Sequence, residues 1–365
     1  MSTSTTMSTI AVTGVKEFTE ITKAVPTPGT GEVLIRVGYC GICGSDIPRY
    51  FDGGVHSFPQ VLGHEFSGTV AAIGPNTELD VAESDKVIVA PLVPCHECEY
   101  CQAGNYSLCP NYSFIGSRQQ GAFADYVLVP AVNVQSAGDL PLDIAALVEP
   151  LTVALHALDQ AGPEAMADTK KPTLILGSGV IGLMALIALR SRGFEDVTVV
   201  DINDWVLGKA TEFGAKATVN SLQQDPQEFL ADRAQPALVI ETACAPITRT
   251  QALACAGKKA KVVFVGTPTK DWTLPPKEFE YILRKELALF GSWMSYSAPY
   301  PGHEWSEAVE ILSGLGESAR GFISHVFDFT NAAEGFEVIR DPQQDRLKIM
   351  FRVSDKSGSA SSATA

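Results

Sequence analysis

Four cysteines within fifteen residues constrain this chain more than any other feature: Cys95, Cys98, Cys101 and Cys109, in PCHECEYCQAGNYSLCP. The spacing is C-x2-C-x2-C-x7-C. Such short spacings let successive sulfurs face one centre with no folded core between them, and four thiolates suit a tetrahedral Zn²⁺ with Zn–S near ~2.3 Å. A disulfide cluster would use the same residues. So would an iron–sulfur site, because C-x2-C-x2-C and a proline after the fourth cysteine also occur in ferredoxins, although there the last spacing is x3. A closed four-thiolate site leaves no open coordination position, so it holds a loop and any chemistry lies elsewhere.

Other metal-binding residue types flank the loop. Cys43 sits in GYCGICGSD, His64 and Glu65 in VLGHEFSG, and Glu149 in ALVEPLTVALHAL. A thiolate, an imidazole and one or two carboxylates can hold a zinc that keeps a position for water or substrate. Such a metal is a Lewis acid for a hydroxyl or carbonyl oxygen. Each residue alone is weak evidence, since a lone His is usually a satisfied polar group and a lone Cys usually core. Ser45 reads as a helix N-cap as well as a functional hydroxyl. Asp46 reads as a residue that orients a ligand or caps the helix. Cys40 and Cys43 form C-G-I-C, which has the look of a redox pair, but Cys40 ends the apolar run EVLIRVGYC and reads as packing. His96 is read as surface, because four thiolates already saturate a tetrahedral ion. His56 is a possible substrate-lining residue and His156 a core one; His303 and His325 carry no argument as ligands.

The second half opens on a different signal. Thr173–Leu176 is a short apolar run that reads as a buried parallel strand. Gly177, Ser178, Gly179, Val180, Ile181 and Gly182 follow as G-x-G-x-x-G, and a long apolar helix comes next. In such a loop the glycines serve a tight turn, close backbone approach to a pyrophosphate, and close helix–strand packing. The helix N-terminus offers free N–H groups to the phosphates. A second run, Val197–Val200, ends in Asp201, about twenty residues past the last glycine, where a carboxylate can bind ribose hydroxyls. Asp201 repels a 2′-phosphate, and Ile202, Asn203 and Asp204 follow it rather than Arg, so NAD is expected over NADP.

The order CGSD, GHE, four-cysteine loop, then E-P before an apolar helix resembles the zinc-dependent medium-chain dehydrogenases, polyol branch, from about residue 10 to residue 353. The resemblance implies an α/β fold: a doubly wound Rossmann domain plus a GroES-like β-rich catalytic domain. It implies a catalytic domain over 1–150 with both zinc sites, an NAD-binding domain over 151–294, a return to the catalytic domain over 295–353 and a disordered tail over 354–365, with the active site in the cleft between the domains. Cys43, His64 and Glu149 match the ligands of a catalytic zinc, and Glu65 the carboxylate that moves on and off it. Ser45 matches the hydroxyl that carries the substrate proton away. Ethanol-type relatives have Cys at the Glu149 position, so the departure points to polyols or threonine. Gly266, at the end of Lys261–Pro268, and Gly291, Ser292 and Trp293, within an expected strand over Glu286–Ser297, match segments beside the nicotinamide. The reaction implied is NAD-linked interconversion of a secondary alcohol and a ketone, with two zincs per subunit, in a homodimer or homotetramer.

Three runs, CGSDIPRYFDGGVHSFPQVLGHEFSG, YSFIGSRQQGAFADY and GSWMSYSAPYPGHEW, are similar to the branch acting on polyol phosphates such as galactitol 1-phosphate. Arg49 and Arg118 are then candidates for the phosphate, because Arg binds it bidentately. Trp293, Tyr296 and Trp305 read as pocket wall or as packing. Sorbitol-, xylitol- or threonine-type activity is the rival within enzymes, and a non-catalytic dinucleotide-binding relative the rival outside them. Composition limits the partners. The net charge of −15 argues against nucleic acid and anionic membranes. No apolar run reaches the ~18 residues that span a bilayer, and the Ser/Thr-rich start lacks the features of a signal peptide. Thiolate ligands fit a reducing compartment, so the cytoplasm is expected.

Overall fold

The computed structural model describes residues 5–341 and 343–353. The segment expected to be a disordered tail, and the first residues of the Ser/Thr-rich start, lie outside the described residues. The chain forms two compact units. One comprises residues up to Cys101, Cys109–Glu149 and the chain from Gly316 on; the other comprises Gln102–Leu108 and Pro150–Leu315. Residues 295–315, expected with the catalytic domain, thus belong to the second unit.

The first unit is built on β-runs rich in branched residues, which favour pleated, half-buried surfaces. Its largest sheet runs in the order Val134–Ser136, Lys86–Val89, Glu65–Ile73, Glu32–Gly41, Lys348–Arg352, Ile323–Asp328, and Tyr126–Pro130 also pairs with Glu32–Gly41. All neighbours are antiparallel except the last pair, Ile323–Asp328 beside Lys348–Arg352. The inward faces of the strands, with Phe123 from a loop and Phe336 from the helix Ala332–Arg340, bury Val12, Ile35, Val37, Phe66, Phe123, Phe336 and Phe351 in one cluster, in which Phe123 and Phe351 meet edge to face at 4.9 Å. The pairing of Cys40 with Phe351 and of Gly41 with Met350 brings the C-terminal strand alongside the CGICGSD segment.

The second unit holds a six-stranded parallel sheet in the order Ala217–Asn220, Val197–Asp201, Thr173–Leu176, Leu238–Glu241, Lys261–Phe264, Ala288–Gly291. In chain order that is 3-2-1-4-5-6, the doubly wound arrangement, whose order reverses between the first and fourth strands. Strands covered on both faces are near-continuous apolar runs, and Leu174, Leu176, Val200, Val239 and Val262 are buried accordingly. The helix Val180–Ser191 buries every residue from Gly182 to Leu189. The strand expected over Glu286–Ser297 is only Ala288–Gly291. Glu286 ends the helix Pro276–Lys285 in a left-handed conformation, and the aromatic residues after Gly291 pack as a loop rather than continuing the sheet. Tyr296 and Trp305 are both buried, their rings 6.0 Å apart. No described helix is long and apolar enough to cross a membrane.

Candidate active site

The apolar strand that ends at Gly41 delivers Cys43 to a turn, and the strand beginning at Glu65 delivers His64 and Glu65 beside it. One ligand atom from each of Cys43, His64 and Glu65 lies within 4.8 Å of the others. His64 and Glu65 are buried, and His64 Nδ1 has no hydrogen-bond partner among the described residues. Glu149, in the first turn of the helix Val148–Gln160, stands close enough to feel all three. Burial pushes its carboxyl up to about 8; the His64 imidazole opposes this, and Glu65 and Cys43 add to it. Burial likewise pushes the Cys43 thiol up to about 12, helped by Glu65 and Asp46. Burial disfavours the charged forms of the Cys43 thiol and the Glu149 carboxyl, and added positive charge, which is what a divalent cation supplies, favours them. The donor set fits zinc.

One member of this site has no counterpart in the motif reading. Lys348, on the C-terminal strand, is buried, and its Nζ donates to Glu65 Oε2 at 2.5 Å and to the Ile42 carbonyl at 3.1 Å. Burial opposes its charge, yet Glu65 and Cys43 hold the ammonium above its ordinary value. Its signal was a lysine at an inward position of the apolar run LKIMF, where a charge needs a partner.

Asp46 is fully buried beside Cys43 and His64. Its Oδ2 accepts the Cys43 N–H at 3.1 Å, and its Oδ1 lies 3.8 Å from His64 Nδ1. Ser45 precedes the helix Asp46–Phe51 but makes no side-chain cap; its hydroxyl accepts from Arg49 instead. Arg49 also donates to Asp46 and Ser117. Arg118 lies 3.9 Å over the Tyr112 ring and donates to its carbonyl. Neither guanidinium is without a protein partner. Cys40 is buried, as packing requires, and His56 and His96 are exposed. His156 is bound to Glu304 at 2.8 Å, in the second unit.

The four-cysteine loop converges as its spacing requires. The four sulfurs lie within 4.8 Å of one another. Cys95 and Cys109 are 3.5 Å apart and Cys95 and Cys101 4.0 Å. Those separations straddle the ~3.8 Å edge of a tetrahedron with ~2.3 Å Zn–S bonds and exceed a disulfide's ~2.05 Å. All eight cysteines are free.

In the second unit, the glycine loop meets each steric demand. Gly177 has φ +96°, and a Cβ there would lie 2.9 Å from Ala243 and Thr242. At Gly182 it would lie 1.9 Å from the Gly177 carbonyl, whereas at Gly179 it would meet nothing within 4 Å. That open ground at a helix N-terminus suits a pyrophosphate. Thr242, which motif reading missed, donates to the Leu176 and Gly177 carbonyls and staples the turn. Asp201 accepts N–H groups of Ser178 at 2.6 Å, Ile202 at 2.7 Å and Asn203 at 3.1 Å. Val180 and Ile181 open the helix. Gly266 follows the strand Lys261–Phe264, its backbone packed against Cys244. Ser292 has a buried hydroxyl without a partner, and Trp293 is 51% exposed.

Known proteins are similar to this chain in sequence and in fold. Residues 29–139 match the alcohol dehydrogenase GroES-like domain, and residues 180–314 the zinc-binding dehydrogenase family. Galactitol 1-phosphate 5-dehydrogenase of Escherichia coli K12 is 40% identical over 307 residues, covering 83% of this chain and 87% of that protein. The crystal structure of galactitol-1-phosphate dehydrogenase from E. coli superposes with a TM-score of 0.88 at 36% identity, over 95% of this chain and all of that one. Two further structures are each 28% identical and match 96% of this chain and all of their own. A short chain alcohol dehydrogenase of E. coli CFT073, complexed with NADH, has a TM-score of 0.86. A zinc-binding dehydrogenase of Sinorhizobium meliloti 1021, bound to NADP, has a TM-score of 0.83.

Proposed function

Because the chain belongs to the zinc-binding dehydrogenases with a GroES-like domain, a family of oxidoreductases that act on alcohols and polyols, we propose that it interconverts galactitol 1-phosphate, or a closely related polyol, and the ketose with NAD. The convergence of Cys43, His64 and Glu65, with Glu149 beside them, carries this reading. Zinc held by Cys43, His64 and Glu149 supplies a Lewis acid for the substrate oxygen, and NAD supplies the hydride acceptor. Ser45 would relay the substrate's hydroxyl proton onward, accepting it and passing its own to the nicotinamide ribose. Glu65 is paired with Lys348 and would keep that cationic partner whether or not it is bound to the metal. The four-cysteine loop holds a second, structural zinc. Asp201 favours NAD: its carboxylate repels a 2′-phosphate, and no Arg follows to receive one.

Two further readings rest on the same proposal. The edge strand Ala288–Gly291 pairs with a single described strand, and Leu289, Leu283, Phe279 and Trp293 on and around it are exposed, which supports a homodimer formed there; sedimentation at the monomer mass rejects it. Free thiols throughout support the cytoplasm as its place, and their recovery as disulfides from cells contradicts it. The test of function is NADH formation, followed by absorbance, with galactitol 1-phosphate, galactitol, sorbitol, xylitol and threonine, each with NAD⁺ and NADP⁺. Turnover of the phosphate with NAD⁺ is expected. Turnover of threonine alone, or of nothing by protein holding two zincs, overturns it.

A further inference from the structure

Arg49 was a candidate for binding a substrate phosphate, and its surroundings assign it another task. It sits on the short helix Asp46–Phe51 with a side chain only 18% exposed. Nη1 donates to Ser45 Oγ and to Asp46 Oδ1, each at 2.9 Å, and Nη2 donates to Ser117 Oγ at 3.1 Å. Spacings of three and four residues bring Asp46 and Ser45 under one guanidinium, while Ser117 comes from a loop 68 residues away. The fork is thus tied at three points by the protein itself.

What it ties is informative. Asp46 is fully buried, and Arg49 is the cation paired with it. The same carboxylate accepts the Cys43 N–H and stands beside the His64 imidazole. The same Nη1 holds the Ser45 hydroxyl, and the other branch, Nη2, is anchored on Ser117. We propose that Arg49 is a positioning residue: it fixes the Asp46 carboxylate behind Cys43 and His64, aims the Ser45 hydroxyl, and does not bind the substrate. This rests on the roles proposed above for Ser45 and the metal ligands. A carboxylate behind a metal-bound imidazole sets the ring's orientation, and loss of such a partner costs metal affinity or activity. A lysine at position 49 would neutralise Asp46 but could not make three planar, divergent bonds.

The experiment compares the wild type with Arg49→Ala, Arg49→Lys and Ser117→Ala in two assays. One follows zinc release to a chromogenic chelator, and the other follows turnover of galactitol 1-phosphate and of galactitol. In Arg49→Ala one zinc should leave ~10- to 100-fold faster, with the other unchanged. Its kcat should fall by a similar factor while KM moves less than about threefold for either substrate. Arg49→Lys should fall between it and the wild type. Should Arg49→Ala fail to fold, Ser117→Ala, which removes one anchor and no charge, should show the same pattern more weakly. A raised KM for galactitol 1-phosphate alone, with wild-type kcat and zinc release, would make Arg49 a phosphate ligand and overturn the proposal. If neither substrate turns over, the functional reading fails, and zinc release alone still decides whether Arg49 positions the site.

Discussion

At the scale of single residues, the site sets buried acids against a buried cation: Glu65 adds to burial in raising Cys43 and Glu149, and Lys348 opposes it. The Glu65–Lys348 pair is the sharpest case: the side chains are 3% and 5% exposed, and the ammonium has no solvent to retreat to. Removing one partner of a buried ion pair leaves an uncompensated charge and costs ~3–5 kcal/mol. Lys348→Met should therefore lower the unfolding free energy of the zinc-loaded protein by about that amount, measured by urea denaturation. A change below ~1 kcal/mol would mean that Glu65 is already balanced by the metal alone. Cys43, His64, Glu65 and Glu149 were legible as candidate ligands because a metal dictates residue type and local spacing, and the structure brings the first three together. Motif reading missed Lys348 because that residue meets Glu65 across 283 positions, and only strand pairing reveals the contact.

At the scale of elements, the glycine loop separates folding from binding. Gly179 has φ −65° and free space where a Cβ would go, so Gly179→Ala should keep its thermal midpoint. The new methyl would project into the proposed pyrophosphate site, and KM for NAD⁺ should rise by at least about tenfold. An unchanged KM would place the dinucleotide elsewhere. The loop following Gly291 gives a second test. Burial pushes the Glu304 carboxyl up, but hydrogen bonds from His156 and Ser297 outweigh it, so the group ends below its ordinary value. A depressed carboxyl stabilises the fold above its unfolded pKa of ~4.3 and loses that contribution as pH falls through the folded value. Glu304→Gln should thus be less stable than the wild type at pH 6, and the gap in thermal midpoint should close below about pH 4. A gap independent of pH would exclude this origin. The same loop shows where sequence reading ran out. Alternating apolar and aromatic residues over Glu286–Ser297 read as one strand, but Tyr296 and Trp305 are there to pack a loop against the helix His303–Leu315. Periodicity reports burial and does not say whether the backbone is paired.

At the scale of the whole molecule, the two units divide the proposed chemistry: the proposed metal ligands Cys43, His64, Glu65 and Glu149 lie in one, and the glycine loop and Asp201 in the other. The doubly wound sheet was legible because its strands are continuous apolar runs with a glycine fingerprint at the first turn. The edges of the units were not, since residues 295–315 carry no composition change to mark which core they join. The central claim is that a metal at Cys43, His64 and Glu149, separate from the four-thiolate site, is needed for polyol oxidation. The most direct measurement removes zinc stepwise with a chelator while following NAD⁺ reduction by galactitol 1-phosphate. Two zincs per chain are predicted at the start. Turnover should vanish with the loss of one and return when one equivalent of Zn²⁺ is restored, whereas Cys43→Ser should hold a single zinc and stay inactive. Full turnover by protein that retains only the four-cysteine zinc would contradict the account.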